Sequence, residues 1–288
     1  MKLLVLGATG LLGNAMFRVL SQSEQFRVYG TARNAAATAY FSSSLVRNLV
    51  NVQDLEDLTQ LVALLDALSP DVIINCTAPP KTQELDPART ISIFSLLPHR
   101  LEHLCNNRNI RLIQISTDGI FSGKKGGYTE NDLPDATDSY GIAKFLGEVD
   151  GPQAVTLRTS IIGHDLESQN GLLAWFLQQG KECRCYTRAI FSGYPTVILS
   201  QIVRDVILPN TRLQGIYHVA SQPISKFDLL ALVRQQYGLA IHMIPDDSVV
   251  IDRTLRADRF QCATGYTPPS WPEMVATMHT FKFGLRRN

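Results

Sequence analysis

Apolar runs that resemble strands alternate with helix-like segments through the first 160 residues, and this alternation constrains the fold more than any other feature of the sequence. The helix-like segments carry apolar residues three or four positions apart, which is typical of one buried helical face. The predicted strands cover residues 3–6, 26–30, 72–75, 111–116 and 154–157, and the predicted helices cover residues 11–20, 58–68, 91–105 and 140–148. Such alternation predicts an α/β fold, with a parallel sheet covered by helices on both faces.

The pattern loosens after residue 158, where Gly, Tyr and Pro interrupt the sequence as far as residue 194. A helix at 196–207 and a strand at 216–219 are expected to return to the first sheet, and a further helix is predicted at 227–237. We therefore predict two domains. Residues 1–160, joined by roughly 196–220, form the larger one, and residues 161–195 and 221–288 form a smaller C-terminal substrate-binding domain.

The composition of the chain indicates which binding partners and which cellular compartment to expect. The chain has 288 residues, of which 45% are hydrophobic and 18% charged, and its net charge is +1. A charge so close to zero gives no reason to expect a nucleic acid or a membrane surface as partner. The opening apolar run stops at Gly7, too early for a signal peptide, and no stretch approaches the ~20 apolar residues of a transmembrane helix. A cytoplasmic location is the expectation.

Cysteines and histidines give no sign of a metal site or a disulfide framework. The five cysteines are irregularly spaced, which favours a reducing compartment. His99 and His103 lie four apart on a predicted helix, but no third ligand has a suitable spacing. Cys183 and Cys185 alternate as strand residues do, and we expect neither a metal nor a disulfide there.

Three glycines follow the first predicted strand with the spacing G-x-x-G-x-x-G and open the first predicted helix. Small residues let the backbone turn tightly and approach a pyrophosphate, to which the helix N-terminus presents N–H donors. This context predicts a Rossmann-type, doubly wound parallel sheet that binds a dinucleotide. The expected cofactor-binding residues of this loop are Gly7, Thr9, Gly10, Leu11, Leu12 and Gly13.

The end of the second predicted strand bears on which dinucleotide binds. An acidic residue there would hydrogen-bond a ribose 2′-hydroxyl, but the sequence has Thr31, Ala32 and Arg33 instead. A guanidinium pairs well with a phosphate, so Arg33 favours NADPH, with NADH as the alternative. Asp54 and Leu55 are placed to meet the adenine, although Asp54 is nearly as well placed to cap the next helix.

Tyr140 and Lys144 form a Y-x-x-x-K pair, and residues four apart share one face of a helix. A nearby ammonium is expected to lower the pKa of the tyrosine, which could then donate a proton to a carbonyl oxygen as hydride reaches the carbon. Thr117 lies at the end of a buried strand, the edge at which open α/β sheets bind ligands. Thr117, Tyr140 and Lys144 are therefore the candidate catalytic residues, and the last two also candidate cofactor ligands.

Several motifs together resemble the dTDP-4-dehydrorhamnose reductase family, a group of extended short-chain dehydrogenase/reductases. The motifs are the glycine loop 7–13, the segment 116–123 (STDGIFSG), the segment 128–134 (YTENDLP) and the segment 140–148 (YGIAKFLGE). The resemblance implies reduction of a 4-keto group on a 6-deoxy sugar nucleotide by NADPH or NADH. It also implies that Cys76, Thr77 and Ala78 lie along the cofactor near the nicotinamide ribose, and that Arg158 flanks the nicotinamide.

Substrate ligands are expected from the same strand end and from the second half of the chain. Ser116 and Thr117 are placed to meet the sugar, and Arg188 and Arg253 could hold a diphosphate, which needs fixed positive donors. The sequence departs from the family at Phe94, where relatives usually carry an asparagine that helps position water near the lysine. Ser92 or Ser95 could take over that role. Gly119 stands where many relatives have tyrosine, and the smaller residue could open the substrate pocket.

Other functions of the same fold stay open. A sugar-nucleotide 4,6-dehydratase normally has Asp-Glu after the threonine, whereas Asp118 is followed by Gly119 here. A 4-epimerase usually has an acidic residue after the second strand, where this chain has Arg33. A non-catalytic, NADP-binding regulatory subunit is a third alternative, which the substitution at Phe94 keeps open. A homodimer is also left open.

Overall fold

A computed structural model of the protein describes residues 1–78, 86–166 and 171–282. The strands within these ranges are β1 (Lys2–Leu6), β2 (Arg27–Ala32), β3 (Leu49–Asn51), β4 (Val72–Asn75), β5 (Arg111–Ile115), β6 (Ala154–Arg158), β7 (Ile161–Ile162), β8 (Glu182–Tyr186), β9 (Ala189–Phe191), β10 (Tyr194–Pro195), β11 (Gly215–His218), β12 (Ile224–Ser225), β13 (His242–Asp246) and β14 (Ile251–Asp252).

The helices alternate with these strands. They are α1 (Leu11–Leu20), α2 (Ser43–Val46), α3 (Leu58–Leu68), α4 (Pro87–Ile91), α5 (Leu97–Arg108), α6 (Ser139–Leu146), α7 (Leu172–Leu177), α8 (Thr196–Ile202), α9 (Lys226–Tyr237), α10 (Asp258–Thr264) and α11 (Trp271–Phe281). π-Helical turns join α4 to α5 at Ser92–Leu96 and extend α8 over Val203–Ile207, and short 3₁₀ turns cover Ala35–Tyr40 and Asp118–Ile120.

A seven-stranded sheet forms the centre of the fold, with the order β11-β6-β5-β4-β1-β2-β3. Every neighbouring pair in it is parallel. From β1 the chain builds the sheet outward through β2 and β3 on one side and through β4, β5 and β6 on the other, so the strand order reverses beside β1. Ligands of such sheets bind outside the carboxyl ends of the strands at this switch point. The α/β, Rossmann-type class expected from the sequence is confirmed.

Both faces of the sheet are buried because side chains alternate along each strand. Leu3 of β1 joins the core that includes Phe17 of α1 and most of the second half of the chain. Leu4 points to the opposite face and joins Leu61 of α3 and Leu101 of α5. Helices therefore cover the sheet on both sides, which explains why its strands read as continuous apolar runs.

The second half of the chain contributes both to the large sheet and to smaller ones. β11 pairs with β6, and α8 packs against α1, so residues 196–218 lie with the first half. β8 pairs with β13, and β9 lies between β12 and β14. The division into two domains stays a prediction. Across the described ranges, no helix is long and apolar enough to cross a membrane.

Candidate active site

The glycine loop lies at the carboxyl end of β1, and its geometry requires small residues. Gly7 has a φ of +76°, and its N–H donates to Thr31 Oγ1 at 2.9 Å. A Cβ on Gly13 would lie 1.9 Å from the Gly7 carbonyl oxygen, so only glycine lets the first turn of α1 approach β1 this closely. Gly10 is the N-cap residue of α1 and has no side chain that could cap the helix. The backbone N–H groups of the first turn are therefore available to a ligand.

The predicted adenine and 2′-phosphate ligands lie further along this edge. Arg33 directly follows β2 and is exposed. Asp54 Oδ1 accepts a hydrogen bond from Glu56 N at 2.8 Å, so its carboxylate caps a turn, while α3 has Asp57 as its N-cap residue. Leu55 is partly buried and packs against the hydrophobic core on the side of the sheet that α3 covers.

The segment after β4 borders the glycine loop from the other side. A Cβ on Gly7 would lie 3.1 Å from the Cys76 carbonyl oxygen. Asn75 Oδ1 accepts hydrogen bonds from Thr77 N at 3.1 Å and Thr77 Oγ1 at 2.6 Å, which fixes the threonine. Cys76 is buried, and burial raises the pKa of its thiol to about 12 despite the charge of Lys144. Ala78 is exposed.

The structure brings Thr117, Tyr140 and Lys144 together at the ends of β5 and α6. Thr117 Oγ1 accepts a hydrogen bond from Gly119 N at 3.0 Å, and its hydroxyl is near enough to Tyr140 to lower the pKa of the phenol. Lys144 Nζ donates to the Ile115 carbonyl oxygen at 2.6 Å. These contacts fix three polar groups at the sheet edge where a ligand is expected.

Two features hold α6 against this edge. Asp138 is its N-cap residue and accepts a hydrogen bond from Gly141 N at 2.9 Å. A Cβ at Gly141 would lie 2.4 Å from the Gly119 carbonyl oxygen, so glycine is needed for the helix to approach the turn after β5. Gly119 in turn packs on the ring of Tyr140, since a Cβ there would lie 3.3 Å from Tyr140 Cε1.

The pKa values within the triad differ from the expectation. Burial raises the pKa of Tyr140, and the carboxylates of Asp118 and Asp138 raise it further. Burial also lowers the pKa of Lys144 to about 8. The expectation of a lowered tyrosine pKa is therefore wrong, because desolvation of the phenolate is the largest influence and the cation that lowers this pKa is Arg253, not Lys144. Tyr140 keeps its proton at neutral pH, as a proton donor must.

The ring of Phe94 packs against both Tyr140 and Lys144 of the triad. It meets the Tyr140 ring edge to face, with the ring centroids 5.3 Å apart, and Lys144 Nζ lies 5.3 Å from the Phe94 centroid. Ser95, expected as a polar substitute, donates its hydroxyl to the Ala143 carbonyl oxygen at 2.9 Å, while Ser92 is half-buried. The π-helical turn at Ser92–Leu96 places the aromatic ring here, and π turns recur at functional sites.

A charged cluster on the other side of Thr117 was not foreseen from the sequence. Burial raises the pKa of Asp118 to about 6, although Ser160 and Thr117 hydrogen-bond its carboxyl group and the charges of Arg253 and Lys226 favour its ionised form. Lys226 begins α9, and burial lowers its pKa. Nothing in the sequence pattern brings residues 118, 160, 226 and 253 together, because only the folded chain does so.

The predicted substrate arginines occupy different environments. Arg253 belongs to the Asp118 cluster, and its Nε is buried without a hydrogen-bond partner in the described part of the chain. Arg188 is exposed at the turn between β8 and β9, where its carbonyl oxygen accepts from Ile251 N at 3.1 Å. Of the two, Arg253 is the one that the structure places beside the triad.

Ser116 and Arg158 belong to a buried network. Ser116 Oγ donates to Glu148 Oε1 at 2.6 Å, so a buried carboxylate engages its hydroxyl, and its contact with the sugar stays a prediction. Arg158 donates to the same carboxylate through Nε at 2.9 Å and Nη2 at 2.7 Å. Arg158 is therefore paired with Glu148 at the sheet edge, and its position beside the nicotinamide stays a prediction. Glu148 follows α6 four residues after Lys144, and this spacing is the sequence signal that could have revealed it.

His218 completes the network behind the sheet edge. Arg158 Nη1 lies 3.2 Å from His218 Nε2, and His218 Nδ1 lies 3.1 Å from the Tyr128 carbonyl oxygen. The arginine can only donate, so Nε2 accepts and Nδ1 carries the proton. Burial lowers the pKa of His218 to about 4, which keeps this neutral form in the folded protein.

Comparison with known proteins relates this geometry to one family. The chain is 26% identical over 260 residues to methionine adenosyltransferase 2 subunit beta of Danio rerio, covering 85% of this chain and 76% of that protein. It is 28% identical over 268 residues to the probable low-salt glycan biosynthesis reductase Agl14 of Haloferax volcanii, covering 88% and 84%.

A similar fold is seen in the crystal structure of dTDP-4-dehydrorhamnose reductase from Bacillus anthracis in complex with NADP. The TM-score is 0.77 at 18% identity, with 97% of this chain and 99% of that one covered. At this identity the likeness concerns the fold. Residues 1–278 match the RmlD substrate binding domain, and the chain therefore belongs to the RmlD substrate binding domain family.

Proposed function

We propose that this protein reduces a keto group, at C4 of a nucleotide-activated deoxysugar, with NADPH. The observation that supports this most directly is the meeting of Thr117, Tyr140 and Lys144 at the carboxyl edge of the sheet, next to the glycine loop. Family membership and the reductases among the relatives support the same reaction class.

The residues present fit a dinucleotide. Gly7 and Gly13 let the loop and the first turn of α1 pack closely on the neighbouring backbone, and no side chain caps the start of α1, so backbone N–H groups are available to a pyrophosphate. Leu11 and Leu12 would present such N–H groups, and Cys76, Thr77 and Ala78 would line the path toward the triad. Arg33 is exposed where a 2′-phosphate would lie, which favours NADPH over NADH.

The triad supplies the acid chemistry of a carbonyl reduction. A nicotinamide cofactor bound in this cradle provides hydride for the carbonyl carbon. Tyr140 is protonated at neutral pH and donates to the carbonyl oxygen as charge develops there. Thr117 hydrogen-bonds the same oxygen, while Lys144 holds the ribose hydroxyls. Arg253, beside the triad, is the better placed of the two arginines to meet the substrate diphosphate.

A screen of nucleotide-linked keto sugars tests this function. The purified chain is incubated with NADPH and each candidate, and NADPH consumption is followed at roughly 340 nm, the absorption band of the reduced nicotinamide. We expect turnover by the chain alone with at least one 4-keto-6-deoxy sugar nucleotide. NADPH binding without turnover of any candidate would refute the proposal.

A regulatory subunit is the second candidate, since one of the most similar relatives is methionine adenosyltransferase 2 subunit beta. That function predicts NADPH binding, no reductase activity and a stoichiometric complex with a separate enzyme. A 4-epimerase, in contrast, would purify with its dinucleotide bound. The homodimer stays a prediction, which sedimentation equilibrium of the purified chain tests by its mass.

A further inference from the structure

We propose that Phe94 is a positioning residue of the reaction, because the face of its ring holds the ammonium of Lys144 charged and in place for the cofactor. The inference rests on the proposed function, since it concerns the lysine that is proposed to hold the ribose hydroxyls. In this role Phe94 acts through Lys144 and is not itself a catalytic residue.

Lys144 is a buried charge without an ion pair in the described part of the chain. It is 8% exposed, and its Nζ donates to the Ile115 carbonyl oxygen at 2.6 Å. Among the described residues, no carboxylate forms an ion pair with it. Glu148, one helical turn further on, pairs with Arg158 instead. A buried charge needs compensation, and one neutral carbonyl oxygen supplies only part of it.

The ring of Phe94 supplies a second source of compensation. Lys144 Nζ lies over this ring, 5.3 Å from its centroid, which is within the ~6 Å reach of a cation–π contact. The negative face of the ring attracts the ammonium without occupying any of its N–H groups. An ammonium has three such donors, of which the Ile115 carbonyl takes one. Phe94 can therefore stabilise the charge and leave the other donors to the ribose hydroxyls.

Phe94 is fixed to the helix that carries Lys144. A side chain at Gly147 would collide with the Phe94 carbonyl oxygen, so the end of α6 lies directly against this backbone. The next residue, Ser95, donates to the Ala143 carbonyl oxygen at 2.9 Å, and Ala143 packs with the buried Phe94 side chain in one apolar cluster. The ring is thus in position before a cofactor binds, as a positioning role requires.

The charge of Lys144 is sensitive to a contact of this strength. Burial lowers its pKa to about 8, although the neighbouring Glu148 and Cys76 act in the opposite direction. A cation–π contact favours the charged form by a factor of about two to thirty, which corresponds to about 0.4 to 1.5 in pKa. Losing the contact would therefore lower the pKa further, and much of the protein would carry a neutral lysine near pH 7.

Fluorinated phenylalanine at position 94 tests the contact. Mono-, di- and trifluorophenylalanine nearly keep the shape of the ring but withdraw charge from its face in graded steps, which weakens its attraction for a cation. The ¹³C resonance of Lys144 Cε, assigned with Lys144→Met, gives the lysine pKa in the chain without substrate. We expect this pKa to fall with each added fluorine, by about 0.4 to 1.5 in total. The same pKa in all four proteins would overturn the proposal.

The pH profile of kcat measures the consequence for the reaction. With NADPH and the keto sugar nucleotide found in the screen, the alkaline limb of kcat should move to lower pH by the same amount as the Lys144 pKa. At a pH of about 6 the lysine is charged in every variant, so kcat there should stay within about threefold of wild type. A loss of kcat that is equal at every pH would contradict the proposal, because it would show that Phe94 only packs.

Trifluorophenylalanine in place of Phe176 is the matched control. This ring is fully buried and packs near Trp175, and no described cation lies over it. Neither the Lys144 pKa nor the kcat profile should change. Shifts as large as those from position 94 would overturn the assignment. If the trifluoro variant at position 94 does not fold, the mono- and difluoro variants give the same series in smaller steps.

The titration without substrate also separates the two proposals. A wild-type chain that turns over no keto sugar, but whose Lys144 pKa falls with fluorination of ring 94, would refute only the proposed reductase function. An active enzyme whose Lys144 pKa does not respond to fluorination would refute only the role of Phe94.

Discussion

Glu148 supports the active-site edge, and Glu148→Gln is expected to destabilise the fold strongly. Its carboxylate accepts hydrogen bonds from Ser116 Oγ at 2.6 Å and from two nitrogens of Arg158 at 2.9 and 2.7 Å. The side chains of Glu148 and Arg158 are each only 4% exposed. The substitution keeps the shape of the side chain but leaves the guanidinium charge buried without a counterion.

The magnitude follows from this burial. Breaking a buried ion pair by removing one partner costs about 3–5 kcal/mol, whereas an exposed pair contributes about 0–1 kcal/mol. For a chain of this size the larger cost corresponds to a fall in Tm on the order of 10 °C. Glu148 also raises the pKa of Lys144, so that pKa should fall below about 8 in the variant.

Urea and thermal unfolding measure the effect, and Asp205→Asn is the control. Asp205 pairs with Arg204 at 2.7 Å, but its side chain is 55% exposed, so we expect at most about 1 kcal/mol there. The double variant Glu148→Gln/Arg158→Met should cost less than the sum of the single variants, because no charge stays buried. Equal, small losses for Glu148→Gln and Asp205→Asn would refute the reasoning.

Two further predictions concern the cofactor and pH. Arg33→Ala should cost roughly 1.5–3 kcal/mol in kcat/KM for NADPH, since one charge-assisted phosphate contact is lost. The kcat/KM for NADH should change little. A wild-type protein that prefers NADH would contradict the proposed NADPH preference. Burial lowers the pKa of His164 and of His218 to about 4, so both are neutral in the fold while the unfolded chain protonates them near pH 6.5. The free energy of unfolding should therefore fall as the pH is lowered from 6.5 to 4, and it should fall less in His164→Gln. Urea unfolding midpoints at pH 7 and pH 5 measure this difference.

The sequence predicted the elements and the triad because both depend on short-range patterns. β4 was placed by its apolar run, and Tyr140 and Lys144 by helical spacing on one face of α6. The strand-end position of Thr117 then implied their meeting through the rule for parallel sheets. Such arguments need no knowledge of contacts between distant residues.

What the sequence missed depends on contacts across the fold. The pairing of β8 with β13 joins residues about 60 positions apart, and no local pattern specifies it. Ser116 was expected to meet the sugar, and the family resemblance implied that Arg158 flanks the nicotinamide, but the sequence did not reveal that Glu148 engages both. The predicted direction of the Tyr140 pKa shift was wrong because helical spacing does not reveal burial, which is the largest influence on that pKa.

Tyr140→Phe tests the proposed acid most directly. The variant keeps the aromatic ring and its contact with Phe94, 5.3 Å between centroids, so the fold and cofactor affinity should stay unchanged. It removes the only hydroxyl proposed to protonate the alkoxide, so kcat should fall by about 10²–10⁴-fold. Lys144→Met should reduce both kcat and NADPH affinity, because Lys144 is proposed to bind the ribose as well, and Thr117→Val should fall between them. NADPH titrations and single-turnover rates separate the two effects. A Tyr140→Phe variant with a nearly normal single-turnover rate on the true substrate would show that Tyr140 is only a packed aromatic residue on α6.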